Sequence, residues 1–126
     1  MYRRFVLLLS TVAALVMLAA APALAYSGYA SWYDMPGALT ASGDYYESYD
    51  YTCAHRTYAF GTYLTVSRGG VSITCVVTDR GPYIYDRELD VSYAAAADLG
   101  LIYSGVGYVD IQYAGYDPYW YYGKQY

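Results

Sequence analysis

The segment VSITCVVTDRGP, residues 71–82, decides the fold of this chain. Apolar residues occupy every second position at its start, a pattern typical of a strand with one buried face. These positions are Val71, Ile73, Cys75 and Val77. Asp79 follows directly, and Gly81-Pro82 then forms a turn that leads the chain out of the sheet. The segment therefore predicts a carboxylate fixed at the end of a buried strand.

The rest of the chain contains further short strand patterns and one short helix pattern. Ser92 is a suitable N-cap for a helix over residues 93–99, and Gly100 is suited to end it. Short strands separated by loops, with a single short helix, predict an all-β fold in the form of a small closed barrel. Besides the segment above, strands are expected at residues 28–33, 62–67, 88–91 and 108–113, with a long turn-rich loop at residues 34–51.

The first 25 residues have the composition of a secretory signal peptide. Arg3 and Arg4 precede an apolar run over residues 5–20, and Ala23-Leu24-Ala25 is a small-residue cleavage site. An uncleaved membrane anchor is the competing interpretation, because the apolar run is long for a signal. The small-residue pattern favours cleavage, so we expect a secreted protein without stable membrane insertion. No cysteine follows the run, so lipid attachment is not expected.

The chain that remains after cleavage is acidic. Removal of residues 1–25 takes away two of the seven basic residues and none of the eleven acidic ones, so the formal charge becomes −6. A surface of this sign repels nucleic acid and anionic lipid. Neither is therefore expected as a partner.

Cys53 and Cys75 are the two cysteines of the chain. In an exported protein such a pair predicts a disulfide, and closing a loop of about 22 residues would stabilise the fold by about 3 kcal/mol. The alternative is a zinc site that includes His55. That set supplies only three ligands and lacks the paired-cysteine spacing of structural zinc sites. We therefore expect a disulfide and no metal.

Tyrosine is unusually abundant, with 21 residues in a chain of 126. Its side chain suits half-buried strands and can also stack on sugar rings, so a barrel surface and a polysaccharide-binding face both fit the composition. The segment GYDPYWYYGKQY, residues 115–126, has no periodic pattern. It is predicted to be a tyrosine-rich tail that is flexible or orders on contact.

Seven fragments, in this order along the chain, resemble the rare lipoprotein A family. They are GYASWY (28–33), TASGD (40–44), CAH (53–55), GTYLTV (61–66), VTDRGP (77–82), ELDVS (88–92) and AAAADLG (94–100). Each fragment is a weak signal alone, but their common order is specific. The resemblance implies a six-stranded double-psi β-barrel with one short helix, a fold also found in expansins. It places that domain at residues 26–114, between the signal peptide and the tail.

The resemblance also implies an activity. Active members of the family are lytic transglycosylases, lyases that break peptidoglycan glycan strands between N-acetylmuramic acid and N-acetylglucosamine and leave a 1,6-anhydro end. We accordingly expect a monomeric enzyme of cell-wall remodelling, in the periplasm or outside a bacterial cell. Its partner would be the glycan strand, and no cofactor is expected.

Three catalytic residues follow from the same resemblance: Asp44 after the TASG loop, His55 of the CAH segment and Asp79 of the DRGP segment. Glycosidic cleavage needs a proton donor for the leaving oxygen, and Asp79 is the expected acid and base. His55 is expected to hydrogen-bond a carboxylate or the sugar. Asp44 stands where the family usually has glutamate, one methylene longer, so the activity is expected to be weakened or lost.

Three further residues are expected to bind substrate: Asp90, Arg80 and Tyr33. Asp90 matches an aspartate of expansins, and its alternative role is to cap the helix entry ahead of Ser92. The predicted disulfide would strap the His55 segment to the Asp79 strand and preorganise both residues.

Two other functions compete with the enzyme. One is a non-catalytic, expansin-like module that binds cell-wall polysaccharide through its tyrosines; Asp44 and the aromatic tail favour it. The other is a structural envelope protein that uses the barrel as a scaffold. His55 and Asp79 favour the enzyme.

Overall fold

A computed structural model describes residues 25–120 and contains six strands and one short helix. Residues 1–24 and 121–126 lie outside the described range, and with them the signal peptide predicted for residues 1–25, apart from its last residue. The elements are β1 (Ala25–Trp32), β2 (Thr52–Ala54), β3 (Thr62–Arg68), β4 (Val71–Asp79), β5 (Arg87–Val91), α1 (Tyr93–Asp98) and β6 (Val106–Tyr116). Across residues 25–120, no helix has the length and apolar character needed to cross a bilayer.

The six strands close into a barrel in the order β1-β5-β2-β4-β3-β6. The pairs β1–β5 and β2–β4 are parallel, and the other four pairs are antiparallel. This confirms the predicted six-stranded closed barrel with one short helix. Strand β2 has only three residues and no alternating pattern, so the sequence pattern did not predict it. It forms because Cys53 pairs with Val77 of β4 on one side and Val91 of β5 on the other.

Strand β4 carries the core as its alternation predicts, except at its first residue. Ile73, Cys75 and Val77 are buried, whereas Val71 is exposed because it lies beside the Gly69-Gly70 turn, at the open end of the β3–β4 hairpin. The barrel interior is filled mainly by aliphatic side chains, each of which contributes about 1.5–3 kcal/mol on burial. The fully buried ones on the strands include Leu64, Val66, Val77, Leu89, Val91, Val109 and Ile111.

The long segment between β1 and β2 is hydrogen-bonded to β4. The Ser42 N–H donates to the Thr78 carbonyl at 3.0 Å, and the Val76 N–H donates to the Tyr51 carbonyl at 3.1 Å. Val76 and Thr78 are themselves buried, although they lie on the face opposite the core. The hydrogen bonds bring residues 40–44 of this segment to the end of β4.

Helix α1 begins where the sequence predicts and ends one residue early, at Asp98. The Ser92 hydroxyl accepts a hydrogen bond from the Ala95 N–H, as an N-cap does, and donates to the Asp50 carbonyl at 2.6 Å. The buried Ala95 and Ala96 allow the helix to approach the barrel closely.

Strand β6 is longer than predicted, because it runs to Tyr116 rather than to residue 113. The chain then turns back onto Gly61: the Asp117 N–H donates to the Gly61 carbonyl at 3.0 Å, and Trp120 is buried. Gly61 has φ +95°, and a Cβ there would overlap the Asp117 carbonyl and lie 2.7 Å from Cδ1 of Trp120. The start of the predicted tail, up to residue 120, is therefore packed on the barrel.

Candidate active site at the end of strand β4

The carboxylate of Asp79 lies half-buried at the end of β4 and accepts three hydrogen bonds. Oδ1 accepts from the backbone N–H groups of Ala41 at 3.0 Å and Arg80 at 2.9 Å. Oδ2 accepts from the Tyr33 hydroxyl at 3.2 Å. Burial, followed by the neighbouring Asp79, raises the pKa of Tyr33 above its ordinary value, so this phenol keeps its proton. The carboxylate is thus fixed in one orientation by donors from three segments.

The loop that carries Asp44 is hydrogen-bonded to the same end of β4. Besides the Ala41 and Ser42 bonds to β4, the Thr40 N–H and hydroxyl both donate to the Asp44 carbonyl, at 2.8 and 2.7 Å. Gly43 adopts φ +90°, which closes the loop tightly. The half-buried side chain of Asp44 accepts from the Tyr45 N–H at 2.9 Å. The structure therefore brings the loop of Asp44 to the strand end that holds Asp79.

The backbone of His55 also reaches this strand end, but its ring is hydrogen-bonded to other residues. The His55 N–H donates to the Asp79 carbonyl at 3.1 Å. The ring is buried and stacks on Tyr58, with 4.1 Å between the centroids. Nδ1 accepts from the backbone N–H groups of Thr57 at 3.1 Å and Tyr58 at 3.0 Å, so the ring hydrogen belongs on Nε2, which lies 3.1 Å from the Tyr26 hydroxyl.

The imidazole of His55 is held neutral. Burial is the main cause that lowers its pKa to about 4, and the positive charge of Arg56 lowers it further, against a smaller opposing effect of Glu88. The ring is expected to bind a carboxylate or the sugar, and within residues 25–120 neither ring nitrogen meets a carboxylate, so a hydrogen bond to the sugar stays a prediction. The contacts of the ring are set locally, because the chain turns at residues 55–58 and presents two backbone donors to Nδ1.

Arg80 binds the His55 segment rather than pointing into open solvent. Its Nη1 donates to the carbonyls of His55 at 3.2 Å and Tyr58 at 2.8 Å, and its Cζ lies 3.9 Å from the centroid of the Phe60 ring. The guanidinium therefore clamps residues 55–60 to the end of β4. A role in substrate binding stays a prediction for Arg80.

Asp90 lies on β5 and accepts a hydrogen bond from the Ser31 hydroxyl on β1. The helix-capping role considered for Asp90 is wrong, because Ser92 caps α1. Nothing in the described structure joins Asp90 to the Asp79 carboxylate by a hydrogen bond. Its role in substrate binding also stays a prediction.

The two cysteines meet inside the barrel, where both side chains are fully buried. Their sulfur atoms lie 2.7 Å apart as free thiols, so the predicted disulfide is not confirmed. Burial raises the pKa of the Cys53 thiol well above its ordinary value. The zinc site considered as the alternative does not form, because the His55 ring is hydrogen-bonded to the Tyr26 hydroxyl. Within residues 25–120, no group of three His, Cys, Asp or Glu residues is arranged to hold a metal ion.

Two open clefts lie on the loops that meet at Asp79. The first, here called the tyrosine cleft, has a volume of about 380 Å³ and is lined by Pro36, Gly37, Tyr45, Tyr46, Glu47, Ser48 and Tyr49. The second has a volume of about 370 Å³ and is lined by Arg56 and residues 82–88. Sequence reasoning did not locate either cleft, although the run YYESY at residues 45–49 was a visible concentration of aromatic residues in a turn-rich loop.

Comparison with known proteins shows the family of this chain. A sequence model described as lytic transglycolase matches residues 25–113. The chain belongs to this family. The probable endolytic peptidoglycan transglycosylase RlpA of Aquifex aeolicus is 48% identical to it over 83 residues, which cover 63% of this chain and 37% of that protein. The Treponema pallidum protein of the same name is 40% identical over 107 residues, 82% of this chain and 33% of that protein.

This member of the family spans about a third of the length of those relatives. Among solved structures, the Streptomyces papain inhibitor aligns with a TM-score of 0.64 at 21% identity, covering 74% of this chain and 96% of that one. At that identity the likeness shows the fold alone. Together with the closed six-stranded order, these matches confirm the double-psi β-barrel that the sequence resemblance implied.

Proposed function

We propose that this chain is an endolytic transglycosylase of the rare lipoprotein A type, acting on peptidoglycan glycan strands. The observation that carries the proposal is the fixed carboxylate of Asp79, surrounded by the loops of Asp44 and Tyr33 in a chain that belongs to the lytic transglycolase family. The curated relatives are named for the same reaction.

Asp79 would act first as the acid and then as the base. Oδ1 already accepts two backbone N–H groups, whereas within residues 25–120 Oδ2 accepts only from the Tyr33 hydroxyl, so the transferable proton would be carried by the remaining lone pair of Oδ2. That proton passes to the glycosidic oxygen while the bond from this oxygen to C1 of the N-acetylmuramic acid breaks. The 6-hydroxyl of the same sugar then attacks C1 and returns its proton to Oδ2. The enzyme is restored, no water is consumed, and a 1,6-anhydro end remains.

Asp44 would stabilise the positive charge that develops on the sugar ring. Its loop is bound to β4 through the Ala41 and Ser42 N–H groups, which limits how far the carboxylate can move to compensate for its short side chain. A displacement of about 1 Å can cost about a hundredfold in rate. A slow enzyme is the expected consequence.

His55 would act as a positioning residue. Its neutral ring organises residues 55–58 through Nδ1, and Arg80 ties the same residues to the end of β4. Any effect of this ring on the reaction would therefore pass through the position of the Asp79 strand.

The cellular setting is part of the proposal. Peptidoglycan lies outside the cytoplasmic membrane, which agrees with a cleaved signal peptide and export to the periplasm or cell wall. In such an oxidising compartment, Cys53 and Cys75, whose sulfur atoms lie 2.7 Å apart, would form the predicted disulfide between β2 and β4.

Product analysis tests the proposed activity. The chain without residues 1–25 would be incubated with purified glycan strands, and the products separated and weighed by mass spectrometry. New chain ends lighter by one water than hydrolytic ends, which is the signature of the 1,6-anhydro form, support the proposal. Hydrolytic ends contradict it. Retention on the strands without new ends would instead support the polysaccharide-binding module, which the exposed tyrosines of the tyrosine cleft favour.

A further inference from the structure

We propose that the tyrosine cleft is a sugar-binding subsite that holds one uncharged pyranose unit of the glycan strand next to the bond broken at Asp79. This inference rests on the proposed function for the identity of the polymer. It adds a binding site on this chain's own loop, with Tyr45 and Tyr49 as the contacting side chains. Four features support this assignment: the rigid floor of the cleft, the exposure of its rings, its connection to Asp79 and its charge.

The floor of the cleft is rigid. Tyr46 is buried, and its hydroxyl donates to the Tyr33 carbonyl at 2.6 Å while it accepts from the Tyr93 N–H at 3.0 Å. Its backbone closes the loop, because Gly37 donates to the Tyr46 carbonyl at 3.0 Å and Tyr46 donates to the Ala38 carbonyl at 2.8 Å. A cleft that is already formed before binding loses little entropy when a ligand enters.

The walls present two aromatic rings to solvent. Tyr45 is 63% exposed and Tyr49 is 82% exposed, and both line the same concave volume. The Tyr49 ring meets the ring of Tyr93 edge-on at 6.1 Å, which limits its orientations. Exposed aromatic rings that converge on a cleft are typical of ligand sites. The apolar C–H face of a pyranose is a ligand of matching shape, because it packs flat on an aromatic ring while the hydroxyl groups point away.

The cleft is connected to the Asp79 carboxylate through the side chain of Tyr33. The buried Tyr46 of the floor packs on Tyr33 with 4.9 Å between ring centroids, and the Tyr33 hydroxyl donates to Oδ2 of Asp79 at 3.2 Å. On the other side, Tyr45 directly follows Asp44 in the chain. A sugar on Tyr45 and Tyr49 would therefore be a near neighbour of the unit whose bond is cleaved.

The charge of the cleft selects an uncharged ligand. Its lining contains Glu47 and no basic residue, and the nearby Asp34 accepts a hydrogen bond from Ser48 at 2.6 Å. An acidic peptide or a phosphate would be repelled, whereas sugar hydroxyl groups can donate to Glu47. A volume of about 380 Å³ suits a small unit of a polymer rather than a surface of a folded protein.

The experiment measures binding of hexa-N-acetylglucosamine, a β-1,4-linked probe, by calorimetry or by NMR titration. Tyr49→Ala and Tyr45→Ala are expected to weaken binding by at least about fivefold, since each removes a ring face. Tyr49→Phe, which keeps the ring, is expected to bind as the parent chain does. Tyr103→Ala is the matched control, because Tyr103 is fully exposed on a turn outside the cleft. Circular dichroism checks that each variant is folded.

The outcomes separate this inference from the proposed activity. Weaker binding of the two cleft variants with an unchanged control supports the subsite, whether or not the chain cleaves strands. Unchanged affinity of both cleft variants overturns it, as does a parent chain that does not bind the probe at millimolar concentration. If the parent chain still produces anhydro ends in either of those cases, the proposed function is supported and the proposed subsite is wrong.

Discussion

The neutral, buried state of His55 leads to a prediction with a calculable size. Burial and Arg56 lower the pKa of this ring to about 4, whereas an unfolded histidine has a pKa of about 6.5. Because the folded-state pKa is the lower one, the unfolded chain takes up a proton first as the pH falls. His55 therefore stabilises the fold fully above about pH 6.5 and progressively less between about pH 6.5 and 4.

The magnitude follows from the two pKa values. At pH 5 an unfolded histidine is almost fully protonated while the folded one is still neutral, and the linkage relation gives a loss of about 2 kcal/mol relative to pH 7. His55→Gln removes the titrating ring. The free energy of unfolding of the parent chain should fall by about 2 kcal/mol more between pH 7 and pH 5 than that of the variant, and carboxylates common to both cancel in the comparison.

Two measurements check this prediction. Urea unfolding at pH 7 and pH 5 gives the four free energies. NMR titration of the ring protons gives the folded-state pKa directly, and its signal is unambiguous because His55 is the only histidine of the chain. A midpoint above about 6, or equal losses of stability in parent and variant, would show that the ring is not held as the structure describes.

Three further predictions concern stability and are measured by chemical unfolding. Gly61→Ala should destabilise the fold by at least about 2 kcal/mol more than Gly105→Ala. Both glycines have positive φ, but only a Cβ at Gly61 would meet the chain packed at Asp117. Equal effects of the two substitutions would contradict that packing. Ser92→Ala should cost about 1–2 kcal/mol through the lost cap, against no measurable change for the exposed Ser104→Ala. Reduction of the exported, oxidised chain should lower its free energy of unfolding by about 3 kcal/mol. Equal free energies of unfolding with and without reductant would show that Cys53 and Cys75 do not form a disulfide.

The main elements of the fold could be predicted because their patterns are local. The alternation before Asp79 predicts strand β4, and the Ser92 cap predicts helix α1, each from a few neighbouring residues. Strand β2 could not be predicted from its pattern, because its three residues are held by partners from β4 and β5 that are distant in sequence. The same holds for the end of β6, whose last residues are held by β3 and by contacts at Gly61.

The candidate site could be predicted in part. The loop of Asp44 reaches the end of β4 that carries Asp79, because the loop donates backbone N–H groups to the strand end. The orientation of the His55 ring could not be foreseen, since it depends on the backbone turn at residues 57 and 58 and on Tyr26, which is 29 residues away. The contacts of Arg80 and the shape of the tyrosine cleft likewise depend on segments that no single motif contains.

The central claim is that Asp79 supplies the proton for glycan cleavage. Asp79→Asn tests it most directly, because the amide oxygen can still accept the Ala41 and Arg80 N–H groups and so preserve the loop. The measurement is the rate of formation of 1,6-anhydro ends by the parent chain, by Asp79→Asn and by Asp98→Asn, a control on the exposed end of α1. We expect the rate to fall at least about a hundredfold for Asp79→Asn and to stay unchanged for the control. A folded Asp79→Asn variant that forms anhydro ends at the parent rate would contradict it.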